Sequence, residues 1–90
     1  MAAYAIRLRP AARRSLRQLD GPARTAVTDL IDALASDPRP AGTRALKGHR
    51  PYLRVRSGDY RIIYAVDDSA AEVTVAVLGH RREVYRGLDL

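Results

Sequence analysis

The sequence contains no cysteine, one lysine and two histidines. Without cysteine there is no disulfide scaffold, no thiol nucleophile and no thiolate metal site. His49 and His80 are too few soft ligands for a zinc or iron centre, so a protein without metal or other cofactor is expected. The longest uncharged stretch, Val73 to His80, is far too short to span a bilayer, which argues against a membrane partner. No apolar run of signal-peptide length follows the charges of the opening MAAYAIRLRP, and the expected setting is the cytoplasm. Ninety residues leave room for one hydrophobic core, so the chain reads as a single domain, 1–90. Hydrophobic residues make up 47% of it, a globular rather than a disordered composition.

What is abundant is arginine. Sixteen Lys and Arg residues face ten Asp and Glu, for a net charge of +6, and all of the bases except Lys47 are arginine. The excess is uneven. Between Arg39 and Arg61 stand seven bases and one acid, Asp59, and a second basic group, Arg81, Arg82 and Arg86, encloses only Glu83. From Asp20 to Asp37 there are four acids and one base, Arg24. The asymmetry predicts one positive face, a neutral or acidic back and a polyanionic partner.

Hydrophobic periodicity supplies the elements. Tyr4, Ile6 and Leu8 alternate with Ala5, Arg7 and Arg9, as in a strand with one buried side. Ala12, Leu16 and Leu19 share a helical stripe within residues 11–19, with Arg13, Arg14 and Arg17 facing away. Asp20-Gly21-Pro22 breaks that helix and opens a second over 22–36, striped by Val27, Leu30, Ile31 and Leu34. Asp37-Pro38-Arg39-Pro40 stops it, because a residue before proline is pushed out of the helical region. The period then changes to two. Strands are predicted over 52–56, 60–66 and 73–78, joined by turns at Ser57-Gly58-Asp59 and Asp67-Asp68-Ser69. The expected fold is α+β: an N-terminal strand, a helical hairpin, then an antiparallel meander with the helices on one face. The tail from Arg81 to Leu88 reads equally as a short helix or an irregular cap.

On the meander's other side, Arg54 and Arg56 share a strand face, and the turn brings Arg61 back beside them. Arg81, Arg82 and Tyr85 follow directly on the last strand. Guanidinium groups fixed on a rigid sheet beside a tyrosine suit a phosphate and a stacked base. Arginine keeps its proton in water, so it neutralises charge in a transition state rather than acting as a base. The groups that could move a proton are Tyr85, His80, Lys47 and His49. The residues alone leave two readings open: binding of an RNA or DNA backbone, and cleavage of RNA.

Leu46-Lys47-Gly48, Tyr52-Leu53-Arg54-Val55-Arg56 and Gly58-Asp59-Tyr60-Arg61-Ile62-Ile63-Tyr64 together resemble the RelE/ParE toxin superfamily of bacterial type II toxin–antitoxin systems. Gly79-His80-Arg81-Arg82-Glu83-Val84-Tyr85 resembles the C-terminal signature of its RelE branch. The resemblance implies a RelE-like toxin fold and a metal-independent endoribonuclease. Such a toxin cuts mRNA in the ribosomal A site by attack of the 2′-hydroxyl on the adjacent phosphate. It also implies a cognate antitoxin partner and a toxin–antitoxin hetero-oligomer. By motif, Arg61 would stabilise the pentavalent phosphate, Arg81 would serve the leaving oxygen and Tyr85 would stack on or orient the nucleotide. Arg54 and Arg56 stand where RelE has lysines, one of them proposed as the base, which turns attention to His80. Lys47, His49 and Arg82 would touch RNA backbone. Two alternatives share the fold: a ParE-like inhibitor of DNA gyrase and an inactive antitoxin-binding homologue.

Overall fold

The computed structural model describes residues 3–85 and 90. The chain runs β1 (Ala5–Leu8), α1 (Pro10–Gln18), α2 (Gly21–Leu34), β2 (Arg44–Ala45), β3 (Leu53–Ser57), β4 (Tyr60–Asp67) and β5 (Glu72–His80). Pro10 opens α1, where a missing N–H costs nothing. Asp20 caps α2 by accepting from the Ala23 N–H at 3.0 Å. α2 ends two residues earlier than its polar pattern suggests. There Ala35 and Ser36 donate to Asp32 and Ala33, i to i+3 bonds that tighten the last turn ahead of Pro38.

The five strands form one sheet in the order β1-β5-β4-β3-β2. β3 to β5 make the expected antiparallel meander and β2 adds an unexpected antiparallel edge strand to it, whereas β1 joins parallel to β5, with Ala5 opposite Glu72 and Leu8 opposite Val75. Both helices lie on one face. Ala12, Val27, Ile31 and Leu34 pack against Val55, Ile62, Tyr64, Val73, Val75 and Leu78, with Tyr4, Ile6, Leu16 and Leu30 partly buried around them. Each fully buried side chain of this kind is worth roughly 1.5–3 kcal/mol relative to exposure, so this layer carries most of the stabilisation.

β5 does not alternate cleanly. Ile63 pairs with Val77 but Tyr64 pairs with Val75, which leaves Ala76 as the extra residue of a bulge. The bulge resets the phase, so that Val73, Val75 and Leu78 all reach the helix side. Ile63 and Val77 point to the opposite face, where a smaller cluster of Leu46, Ile63 and Val84, flanked by Tyr52 and Leu90, covers part of the sheet. Residues 81–85 form turns rather than a helix, and Val84 is the anchor that folds them onto the sheet. Arg86 and Leu88 lie outside the described residues.

The loop after α2 is tied to the sheet at three points. The Tyr4 N–H donates to the Ala35 carbonyl at 2.8 Å, and the buried Tyr64 hydroxyl donates to the Pro38 carbonyl at 2.6 Å. Arg39 forks onto Asp68 at 3.3 and 3.0 Å, and the Tyr4 hydroxyl donates to the same carboxylate at 2.7 Å. The Arg39 fork first, and the Tyr4 hydroxyl second, hold the Asp68 carboxyl below the ordinary carboxylate range. A carboxyl depressed in the folded state contributes stability above its unfolded pKa, near 4, and loses it as pH falls through the folded value. Asp68→Asn is therefore expected to flatten the acid limb of the stability curve, read as urea midpoints at pH 7 and pH 3. An unchanged acid limb would show that the network adds nothing; the effect is small in any case, because the pair stands in water.

Candidate functional site

The β3–β4 hairpin sets the site. Ser57 pairs with Tyr60 across the two-residue turn Gly58-Asp59, and Gly58 takes φ +58, the conformation such a turn requires of glycine at its first central position. This register places Arg56 directly opposite Arg61, and Arg54 opposite Ile63. On the other side of β3, Arg44 stands opposite Arg54. Residues opposite one another in an antiparallel pair point to the same face, so Arg44, Arg54, Arg56 and Arg61 all project from the face away from the helices. With Ala41, Gly42 and Gly58 they line a cleft of about 760 Å³.

Like charges set directly opposite one another destabilise a sheet, and here two such pairs stand side by side. None of the four guanidinium groups forms a hydrogen bond or ion pair among the described residues. At Arg61 the Nε and Nη1 groups are buried and have no acceptor among those residues. A buried donor left without a partner costs about 1–3 kcal/mol, and more when charged. Sequence choices that work against the fold's own stability concentrate at functional sites. The chemistry this arrangement suits is binding of a phosphate or another oxyanion, which accepts from guanidinium forks and neutralises the charge.

The other residues singled out from the sequence fall in three places. Arg81 leaves the end of β5 and is tethered to the hairpin turn: its N–H donates to the Asp59 carbonyl at 2.7 Å, and its Nε lies 3.9 Å from the Asp59 carboxylate. Gly58, next to Asp59, lines the cleft; Arg81 itself does not. Arg82 is exposed and Tyr85 is 41% exposed, held at the surface by the buried Val84 before it. Lys47 and His49 are exposed in the loop between β2 and β3 and do not line the cleft.

His80 is not brought to the arginines. The bulge makes Gly79 the partner of Arg61 and His80 the partner of Tyr60, whose ring packs with the helix-side core. The two rings meet edge to face at 5.8 Å, and His80 Nδ1 accepts from the Arg82 N–H at 3.2 Å. One cleft residue, Arg44, and one contact outside the cleft, Tyr52 with Arg9, have no local signal in the sequence. Arg44 was visible only as one base in a basic run, because a two-residue strand carries no periodicity. Tyr52 reaches Arg9, whose Nη2 donates to its hydroxyl at 2.7 Å, a contact without any local signal. No group of three or more His, Asp or Glu residues among the described residues could hold a metal, and no helix among them is long and apolar enough to cross a membrane.

Fold and site together define a small α+β domain with an arginine-lined sheet face, and the fold is that of RelE toxins. A family model described as the ParE toxin of type II toxin–antitoxin systems matches residues 6–85. The chain belongs to this ParE toxin family, within the RelE/ParE superfamily. It is 29% identical over 84 residues to toxin RelG of Mycobacterium tuberculosis, a match covering 92% of this chain and 97% of that one. Among solved structures it is similar to the toxin–antitoxin complex RelBE2 of M. tuberculosis, with a TM-score of 0.76 at 28% identity, covering 92% of this chain and 97% of that one. The intact RelBE complex of Escherichia coli gives a TM-score of 0.75 at 25% identity, covering 87% of this chain and 96% of that one.

Proposed function

We propose that this chain is the toxin of a type II toxin–antitoxin pair and acts as a ribosome-dependent mRNA endoribonuclease. The supporting observation is the Arg56–Arg61 pair, with two buried guanidinium donors on Arg61 that have no acceptor among the described residues. In the proposed step the 2′-oxygen attacks the adjacent phosphorus as its proton passes to solvent water. The P–O5′ bond then breaks and the 5′-oxygen takes a proton from water, leaving a 2′,3′-cyclic phosphate and a 5′-hydroxyl. Arg61 and Arg56 neutralise the charge that builds on the phosphoryl oxygens, Arg54 holds the backbone, and Arg81, tethered to Asp59, serves the departing 5′-oxygen. Tyr85, exposed four residues beyond Arg81, stacks on a base. Because His80 faces away, catalysis rests on positioning and charge rather than on an imidazole base. Its single-turnover rate should climb with pH through neutrality without the plateau that an imidazole base imposes. A plateau lost in His80→Gln would restore the histidine to the mechanism.

The test is purified protein added to ribosomes translating a defined mRNA. Cleavage in the A-site codon with 2′,3′-cyclic ends supports the reading, and intact mRNA in the presence of folded protein sinks it. A second reading, inhibition of DNA gyrase, is favoured by one observation: the matching family model is that of the ParE toxin. A supercoiling assay separates the two. The partner we propose is an antitoxin, as in the solved RelBE complexes, whose acidic segment covers the arginine face and associates faster at low salt.

A further inference from the structure

The arginines are ordered as well as clustered. Arg44 and Arg54 form one cross-strand rung, and Arg56 and Arg61 form a second. Arg54 and Arg56 are two positions apart on β3, so the rungs are offset by about 7 Å along the strand on a single face. In the proposed cleavage only the second rung meets the reacting phosphate. Arg44 and Arg54 remain as a matched pair of forks with no acceptor among the described residues, lining the same cleft.

We infer that the Arg44–Arg54 rung is a second phosphate subsite, so that the cleft holds two consecutive phosphates of a single-stranded nucleic acid. This deepens the proposed function and rests on it for the role of the Arg56–Arg61 rung. A single strand is the occupant that fits, because it presents phosphates at a regular, short repeat and can lie along one strand of the sheet. The offset between rungs then sets the register of the bound chain: once one phosphate is seated, its neighbour falls on the other rung. Arg44 lies on the edge strand and is exposed, so it can close on the backbone from outside.

Binding can be measured by calorimetry at low salt without ribosomes, using 2′-O-methyl oligonucleotides that cannot be cut. The probes are a dinucleotide with one phosphodiester and a trinucleotide with two, both lacking terminal phosphates. The wild-type protein is expected to prefer the trinucleotide by about tenfold, with a salt slope steeper by about 0.7 for the additional phosphate. Arg44→Ala should reduce the preference to about twofold or less and remove the extra slope. Arg14→Ala, which deletes an exposed charge from α1, should keep the preference. A wild-type protein that binds neither probe, or does not distinguish them, overturns the subsite, as does an Arg44→Ala protein that keeps the full preference. Hexaglutamate binding more tightly than the trinucleotide, and lost in Arg44→Ala, would overturn it in favour of an acidic protein segment. Failure to cut mRNA on ribosomes sinks the nuclease reading alone, because the oligonucleotide preference is measured apart from cleavage.

Discussion

Arg61→Ala is expected to lower the single-turnover rate of mRNA cleavage on programmed ribosomes by about 10²–10³-fold, the usual loss when one preorganised donor to a developing oxyanion is removed. The same substitution should leave the domain at least as resistant to urea as the wild type. The two expectations have a common origin. Among the described residues Arg61 keeps Nε and Nη1 buried without an acceptor and faces Arg56 across the strand pair, so its guanidinium opposes folding. Truncation relieves both costs while removing the group that would meet the phosphate. Arg61→Lys separates charge from geometry: lysine keeps the cation and loses the planar fork, so partial recovery over alanine is expected. Cleavage by Arg61→Ala within about threefold of wild type would remove Arg61 from the chemistry. A clear loss of urea resistance would show that the guanidinium has a structural partner instead.

The largest expected effect on folding is at Tyr64. It is fully buried, at the centre of the helix-side core, and its hydroxyl donates to the Pro38 carbonyl at 2.6 Å with the Thr43 hydroxyl 3.3 Å away. Burial raises its pKa above the ordinary phenol value, so the hydroxyl stays protonated and remains a donor throughout the physiological range. Tyr64→Ala should cost about 3–5 kcal/mol, the range for large aromatic truncations. A domain of this kind holds only about 5–15 kcal/mol in total, so the variant should be largely unfolded at 37 °C. Tyr64→Phe tests the hydroxyl alone. It keeps the ring packing and strands the Pro38 carbonyl, for a loss of about 1–3 kcal/mol in urea unfolding. An unchanged urea midpoint for Tyr64→Phe would mean that water replaces the donor and that the tie between β4 and the 38–43 loop is dispensable.

Much of this architecture was legible because it is local. The stripes of α1 and α2, the break at Asp20-Gly21-Pro22 and the stop at Asp37-Pro38 are written within a few residues of where they act. So is the hairpin register that sets Arg56 against Arg61, because a turn as short as Gly58-Asp59 leaves one pairing. The unreadable parts depend on contacts distant in sequence. β1 gives no hint that its partner is β5, and β2 is too short to announce itself, which hid Arg44. Ala76 looks like any small strand residue, yet as the bulge it decides that Gly79 rather than His80 shares a face with Arg61. A period-two reading of Val73 to Leu78 carries no mark of that change of phase. The hairpin arginines were therefore legible together with their shared face, whereas the faces of Arg44 and His80 were properties of the whole sheet.

The parallel pairing of β1 with β5 also bears on how the protein comes into being. β1 precedes every other element, yet its strand partner is the last strand of the described fold, with Ala5 paired to Glu72. Until β5 arrives, the apolar stripes of α1 and α2 lack Val73, Val75 and Leu78, and the sheet has a gap between β1 and β4. Pairings that span so much chain must meet their loop-closure entropy before they return any contact energy, which delays closure to the end of folding. During synthesis the N-terminal half therefore has no finished layer to settle on. Assembly of the domain waits for its final strand, and the arginine face gains its rigid backing only then.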